Sequence, residues 1–125
     1  MTRVNEIRLE NPALHNNRSL KFHYVDNDQL LAFSKQDGDN RILVVINFDA
    51  NYAQTGFVHL DMGALGLSDN EAYHLEDLVI GERYAWEGSR NFIRLDPHYF
   101  PAHILKITPE RREQSFDSYM AQQSV

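Results

Sequence analysis

The strongest strand pattern in the chain is Arg41-Ile-Leu-Val-Val-Ile-Asn-Phe48, which contains five aliphatic residues in succession. Four of these five are β-branched, and β-branched side chains pack well on a pleated strand but lose rotamer freedom in a helix. An apolar run without polar alternation is typical of a strand that is buried on both faces. The stretch therefore predicts a central strand in a layered β-structure.

Shorter strand patterns lie on both sides of this stretch, separated by turn signals such as Asp37-Gly-Asp-Asn40. The predicted strands are residues 20–24, 30–35, 54–60, 73–80, 83–86, 91–95 and 102–107. Their spacing of about 8–12 residues, without helical patterns between them, is typical of an antiparallel sandwich and excludes a doubly wound α/β fold. We predict an all-β fold, an antiparallel β-sandwich of seven or eight strands, with Leu65 and Leu67 closing one end of the core.

Short helices are predicted at the two ends of the chain. Residues 3–10 follow a possible cap at Thr2 and stop before Pro12. Near the other end, Thr108 is a candidate cap with Pro109 in the first helical turn. The apolar residues of this second helix share one face; they are Phe116, Tyr119 and Met120.

Composition excludes several classes of function. The chain has 125 residues, which suits one domain, and a net charge of −6, which disfavours nucleic acid as a partner. It has no cysteine, so disulfides and thiolate metal sites are excluded. No stretch resembles a signal peptide or reaches the about 18 apolar residues of a membrane span. We expect a cytoplasmic location, no membrane partner, and a polar loop at the sequon Asn17-Arg-Ser19.

No motif in the sequence predicts a catalytic site, a metal site or a cofactor. The histidines lack H-x-H or H-E-x-x-H spacing, and Gly63-Ala-Leu-Gly66 is an ordinary loop rather than a phosphate cradle. Glycoside chemistry needs two carboxyl groups roughly 5–9.5 Å apart. Adjacent strand residues such as Glu76 and Asp77 point to opposite faces and cannot cooperate. The other acids of suitable type are Glu82, Glu87 and Asp96.

The aromatic residues are the main candidates for binding. Sugar rings stack their C–H faces on tryptophan and tyrosine, so we single out Trp86, Tyr84 and Tyr99 as the predicted substrate-binding residues. Tyr84 and Trp86 are two positions apart on one predicted strand and share a face. The alternative, which this spacing favours, is that both pack in the core of the sandwich.

Several blocks of the sequence resemble one enzyme family. Residues 6–14 resemble the last helix of an amylase-superfamily barrel, and residues 41–49, 54–60 and 73–78 resemble the β-domain that follows it. The most distinctive blocks are Gly81-Glu-Arg-Tyr-Ala-Trp-Glu-Gly88, Asn91-Phe-Ile-Arg-Leu-Asp-Pro97 and Pro101-Ala-His-Ile-Leu105. Together they are similar to the α-1,4-glucan:maltose-1-phosphate maltosyltransferase branch, whereas trehalose synthases match more loosely.

The resemblance implies an accessory role in α-glucan synthesis. The nucleophile and general acid of this retaining family lie in the barrel, so no catalytic residue transfers to this chain. We expect residues 1–14 to be the remnant of a barrel helix, 15–108 the sandwich, and 109–125 a helix and tail. The expected partner is the catalytic barrel, with α-glucan as a second. The alternatives are a stand-alone carbohydrate-binding module and, with no supporting motif, a small independent hydrolase.

Overall fold

The computed structural model describes residues 3–15, 19–96 and 102–109. Two helical segments come first, α1 (Arg3–Glu10) and the 3₁₀ helix η1 (Pro12–His15). The strands are β1 (Lys21–Val25), β2 (Leu30–Asp37), β3 (Asn40–Asn47), β4 (Gln54–His59), β5 (Ala72–Asp77), β6 (Arg83–Glu87), β7 (Arg90–Leu95) and β8 (Ala102–Pro109). Within these ranges no helix is both long and apolar enough to cross a membrane.

The strands form an antiparallel sheet in the order β6-β5-β8-β3-β2-β1-β4-β7. Strand β1 belongs to both layers, because it pairs with β2 on one side and with β4 on the other. The larger layer runs from β6 to β1, and the smaller layer contains β1, β4 and β7. Strands β6 and β7 are therefore the two ends of the sheet, and they meet along a cleft that both of them line. This arrangement confirms the predicted antiparallel sandwich.

The core lies between the inner faces of the two layers. Strand β3 is its central element, as predicted: it pairs with β2 and β8, and residues 41–45 are all buried. The loop between β4 and β5 closes one end of the core with Leu65 and Leu67, which are 1% and 5% exposed. Their predicted plugging role is confirmed. The helix predicted at residues 3–10 is also confirmed, although Thr2 lies outside the described residues.

Two predicted boundaries are wrong. Strand β5 ends at Asp77 rather than Ile80, because the Asp77 carboxylate accepts the Val79 and Ile80 N–H groups at 2.9 and 3.2 Å and turns the chain. Thr108 and Pro109 do not begin a helix; they continue β8, opposite His74 and Tyr73 of β5. Pairing with a distant strand outweighs the local capping signal there, and Pro109 is tolerated because β8 pairs with β3 only as far as Ile107 and is an edge on that side beyond it. Residues 110–125 of the predicted helix and tail lie outside the described residues.

The corner between the two layers depends on side-chain hydrogen bonds. Only two residue pairs join β1 to β4. Beyond them, the Asp26 carboxylate accepts the Phe57 N–H at 2.7 Å, and the Asn27 amide donates to the Thr55 carbonyl at 2.7 Å. This close approach requires a glycine at position 56. A Cβ there would lie 2.9 Å from Asp26 Oδ1 and 3.2 Å from Asn27 Cβ.

Replacing this glycine should loosen the corner. We expect Gly56→Ala to lower the free energy of unfolding by about 1–3 kcal/mol, because the added methyl overpacks a buried site. The matched control is Gly63→Ala, whose Cβ would meet only Asp61 Oδ1 at an ordinary 3.7 Å. Urea unfolding followed by tryptophan fluorescence measures both changes. Equal stability of the two variants would contradict this account of the corner.

Candidate functional site

Tyr84 and Trp86 lie on β6 and share one face, as predicted. That face points inward, because their cross-strand partners are the buried Leu75 and Tyr73 of β5. Both are half-buried and pack against the main core, and the Trp86 ring meets the Tyr73 ring edge-on at 6.3 Å. The structure therefore supports the core alternative for their packing. Sugar binding by these residues stays a prediction, and Tyr99 lies outside the described residues.

Among the described residues, a cleft between β6 and β7 opens beside these two rings, with a volume of about 80 Å³. Pockets that enclose small molecules typically have about 300–1,000 Å³, so this cleft is too small to enclose a sugar ring. The Tyr84 hydroxyl donates to Glu82 Oε2 at 2.9 Å. Burial, reinforced by this carboxylate, raises the pKa of Tyr84 to about 12. The Tyr84 hydroxyl is therefore protonated near neutral pH, and it already donates its hydrogen bond to Glu82.

A histidine–aspartate pair lies beside the cleft. His103 Nδ1 on β8 lies 3.1 Å from Asp77 Oδ2, and the Asp77 side chain is 2% exposed. The other carboxylate oxygen accepts the two N–H groups of the turn after β5. Glu76 points to the opposite face, as the strand pattern predicts. Asp77 is thus committed to holding a turn and a histidine, which leaves it poorly placed as a catalytic acid.

The pair was not predicted, because it depends on β5 pairing with β8, about 25 residues further along the chain, a partnership that no local pattern indicates.

A second histidine, His23, makes an arrangement that resembles a catalytic triad. His23 Nε2 lies 2.8 Å from Ser34 Oγ, and Asp61 is adjacent. However, His23 Nδ1 accepts the main-chain N–H of Asp61 at 3.0 Å, so the neutral ring carries its proton on Nε2 and donates it to Ser34. A base that activates a serine must accept at that position. The network is therefore structural.

No group of three or more histidine, aspartate or glutamate side chains within residues 3–15, 19–96 and 102–109 could hold a metal ion. No metal-binding residue was predicted from the sequence. The candidate functional feature is instead a surface.

The outer side of the larger layer carries an apolar surface, which we call the apolar face. One row of it crosses four neighbouring strands, because Phe22, Phe33, Val44 and Ile104 are successive cross-strand partners. The Phe22 and Phe33 rings are 6.0 Å apart, and Phe22 is 59% exposed. The remaining members of the face are Leu31, Ile46 and Leu78, all half-buried.

The N-terminal segment covers one end of the apolar face. Ala13 of η1 is buried with Ile42 and Val44. Asn40, the first residue of β3, holds the segment there: its side-chain amide donates to Asn11 Oδ1 at 2.9 Å and its Oδ1 accepts the Ala13 N–H at 3.0 Å. This clamp was not predicted, because Asn40 reads locally as a turn residue. Large exposed apolar patches on a folded domain mark interaction sites.

Comparison with known proteins gives a consistent set of relatives. Residues 22–107 match the family described as "GLGE, C-terminal". The chain is 44% identical over 107 residues to alpha-1,4-glucan:maltose-1-phosphate maltosyltransferase 1 of Streptomyces coelicolor, covering 86% of this chain and 16% of that protein. It is 43% identical over 110 residues to the maltosyltransferase of Mycobacterium tuberculosis, covering 86% of this chain and 15% of that one. The chain thus spans about a sixth of the length of these curated relatives.

Solved structures share the fold. A maltogenic alpha-amylase, AmyB from Thermotoga neapolitana, superposes with a TM-score of 0.63 at 16% identity, over 83% of this chain and 23% of that one. The alpha-amylase of Geobacillus thermoleovorans superposes with a TM-score of 0.61 at 19% identity, over 86% and 22%. At these identities the likeness concerns the fold alone.

The His23 network predicts how stability depends on pH. Burial lowers the pKa of His23, and the charge of Asp61 offsets this only in part. The unfolded chain then binds a proton more readily than the folded chain. The contribution of His23 to the free energy of unfolding is therefore fully present above about pH 6.5 and is lost as the pH falls toward the lowered pKa of the folded state.

The measurement is urea unfolding between pH 7.5 and pH 5, paired with NMR titration of the ring. We expect His23→Gln to flatten the decline in stability across this window, because it removes the titrating group. The account is wrong if the variant keeps the wild-type slope, or if His23 titrates above its ordinary range.

Proposed function

The chain belongs to the GLGE C-terminal family, and from this we propose that it is the non-catalytic C-terminal accessory domain of an α-1,4-glucan:maltose-1-phosphate maltosyltransferase. Its role is to pack on the catalytic domain of that enzyme and stabilise it. The enzyme acts in α-glucan synthesis, in the cytoplasm, where a chain without cysteine is well suited to a reducing environment.

The observation that carries this proposal is the apolar face. Its side chains are aliphatic and aromatic and contiguous over the central strands, and among the described residues η1 covers one end of the face. Burying apolar surface contributes about 25 cal/mol per Å². Covering the exposed rings and half-buried aliphatic side chains of this face is therefore a substantial source of interface energy.

The position of the N-terminal segment favours the catalytic domain as the occupant. The chain spans about a sixth of the length of its relatives, and η1 packs on the apolar face. A domain that precedes α1 in the same polypeptide is held near this face at high effective concentration. Association of the two domains then requires little additional affinity.

The acids of the chain support a non-catalytic role. Retaining transfer uses two carboxyl groups about 5–5.5 Å apart, one as nucleophile and one as acid. Asp77 is buried against His103, Glu82 accepts the Tyr84 hydroxyl, and Glu76 faces away from Asp77. These three acids have structural partners or diverge, so the reaction is assigned to the rest of the enzyme.

The alternative function is a carbohydrate-binding module that contacts α-glucan through Trp86, Tyr84 or Tyr99. Titration with maltoheptaose, followed by tryptophan fluorescence, tests this version directly. Saturable quenching that is lost in Trp86→Ala with the fold intact would favour it.

The accessory role predicts an interface-specific loss of stability. The test replaces the matching segment of the Streptomyces coelicolor relative with this chain and introduces Phe22→Glu with Phe33→Glu. We expect the melting temperature and yield of the chimera to fall, since truncating or charging a central interface residue typically costs about 2 kcal/mol or more. Because Phe22 is exposed, the isolated chain should lose much less stability.

The control is Tyr52→Glu, which charges an aromatic residue that is 72% exposed and lies outside the apolar face. It should leave the chimera unchanged. Equal losses in the chimera and in the isolated chain would contradict packing through the apolar face. Maltosyl transfer by the isolated 125-residue chain would defeat the non-catalytic assignment.

A further inference from the structure

The outer side of the smaller layer carries a second set of aromatic residues, which we call the platform: Tyr24, Phe57, His59, Arg90 and Phe92. They form two cross-strand pairs. The Tyr24 and His59 rings are 5.2 Å apart, and the Phe57 and Phe92 rings are 5.6 Å apart. Tyr24 is 65% exposed and Phe92 is 54% exposed, so both present open rings to solvent.

The platform also carries hydrogen-bond donors. The Arg90 guanidinium lies 3.7 Å from the centre of the Phe57 ring. This contact holds the guanidinium at the surface beside the rings. Arg90 is the cross-strand partner of His59, and exposed Arg94 continues the same side of β7. Open rings therefore alternate with side chains that donate hydrogen bonds.

This alternation separates the platform from the apolar face. The centre of a protein–protein interface is depleted of charged residues, as the apolar face is along its row of Phe33, Val44 and Ile104. The platform instead combines rings with Arg90, Arg94 and His59. Saccharides need both features, because their C–H faces stack on rings while their hydroxyls require polar partners.

We propose that the platform is a surface binding site for α-1,4-glucan. The choice of glucan rests on the proposed function, since the relatives are named for that polymer. The chemistry of the platform supports a neutral saccharide independently of those names. The platform differs from the predicted binding site at Trp86 and Tyr84, because those two rings point into the core.

The two exposed rings are too far apart for one sugar unit. Tyr24 on β1 and Phe92 on β7 are two strand spacings apart across β4 and offset by two residues along the strands, which is about 12 Å at standard sheet spacings. A glucan must therefore extend across several units to touch both. The platform meets the apolar face at β1, where Tyr24 and Phe22 lie two residues apart on the same side of the strand, and it extends from there across β4 and β7.

The test is binding of maltose and maltoheptaose to the ¹⁵N-labelled 125-residue chain, followed by NMR. We expect maltoheptaose to bind more tightly than maltose, with shifts confined to residues 55–59 and 90–94 and to Tyr24. Tyr24→Ala and Phe92→Ala should each weaken binding about three- to tenfold, the loss expected for one stacked ring. Phe48→Ala, which removes an equally exposed ring outside the platform, should leave affinity unchanged.

Three outcomes would overturn the proposal: no binding of maltoheptaose, shifts centred on Tyr84 and Trp86, or self-association of the chain that Phe92→Ala abolishes. Phe33→Glu alone separates this proposal from the accessory role, because Phe33 lies on β2, whereas Phe22 lies beside Tyr24 on β1. If that variant still binds glucan, and the same substitution leaves the melting temperature and yield of the chimera unchanged, only the packing proposal fails. If the chimera is destabilised but no glucan binds, the platform alone fails.

Discussion

The corner at β1 determines the rest of the structure. One strand pairs with both layers, but only Tyr24 and Val25 pair with β4 before the layers diverge. The Asp26 N–H donates to the Phe57 carbonyl, and the Asp26 and Asn27 side chains add hydrogen bonds to β4 that Gly56 allows by its lack of a side chain. These bonds extend the contact between β1 and β4 beyond the two paired residues. The resulting fold brings β7 toward β6, encloses the core, and joins the outer surfaces of the two layers along β1.

The parts of the fold that follow from local pattern could be predicted. The uninterrupted aliphatic run of β3 predicts a central strand because burial on both faces leaves no place for polar alternation, and residues 41–45 are indeed buried. Where local and distant signals conflict, prediction from the sequence fails. Thr108 and Pro109 have the composition of a helix start, yet pairing with β5 extends β8 through both. The Asp77 turn shortens β5 for a similar reason, since its carboxylate stabilises main-chain groups that a strand would leave open.

The surfaces were harder to predict than the core. Tyr84 and Trp86 share a face by their spacing, but the spacing alone does not say whether that face is inward. Tyr24 and Phe92 are far apart in the sequence and share one surface only because β4 pairs with both β1 and β7. The Asp77–His103 pair and the Asn40 clamp likewise join residues through non-local pairing or packing. Side-chain alternation identifies faces, whereas topology decides which faces meet.

The polar groups inside the domain and its outer surfaces together support the proposed accessory role. Asp77, His103 and His23 are of types that suit catalysis, but these buried or half-buried side chains have partners that hold a turn or join two strands. Removing one partner of such a pair leaves an unpaired buried group, so these residues are constrained by stability and are not free for a reaction. What remains accessible is the outside of the two layers: an apolar part with aliphatic and aromatic side chains, and a part where aromatic rings alternate with cations. A domain arranged in this way acts through what it contacts, and the difference in chemistry between its two faces indicates two different contacts.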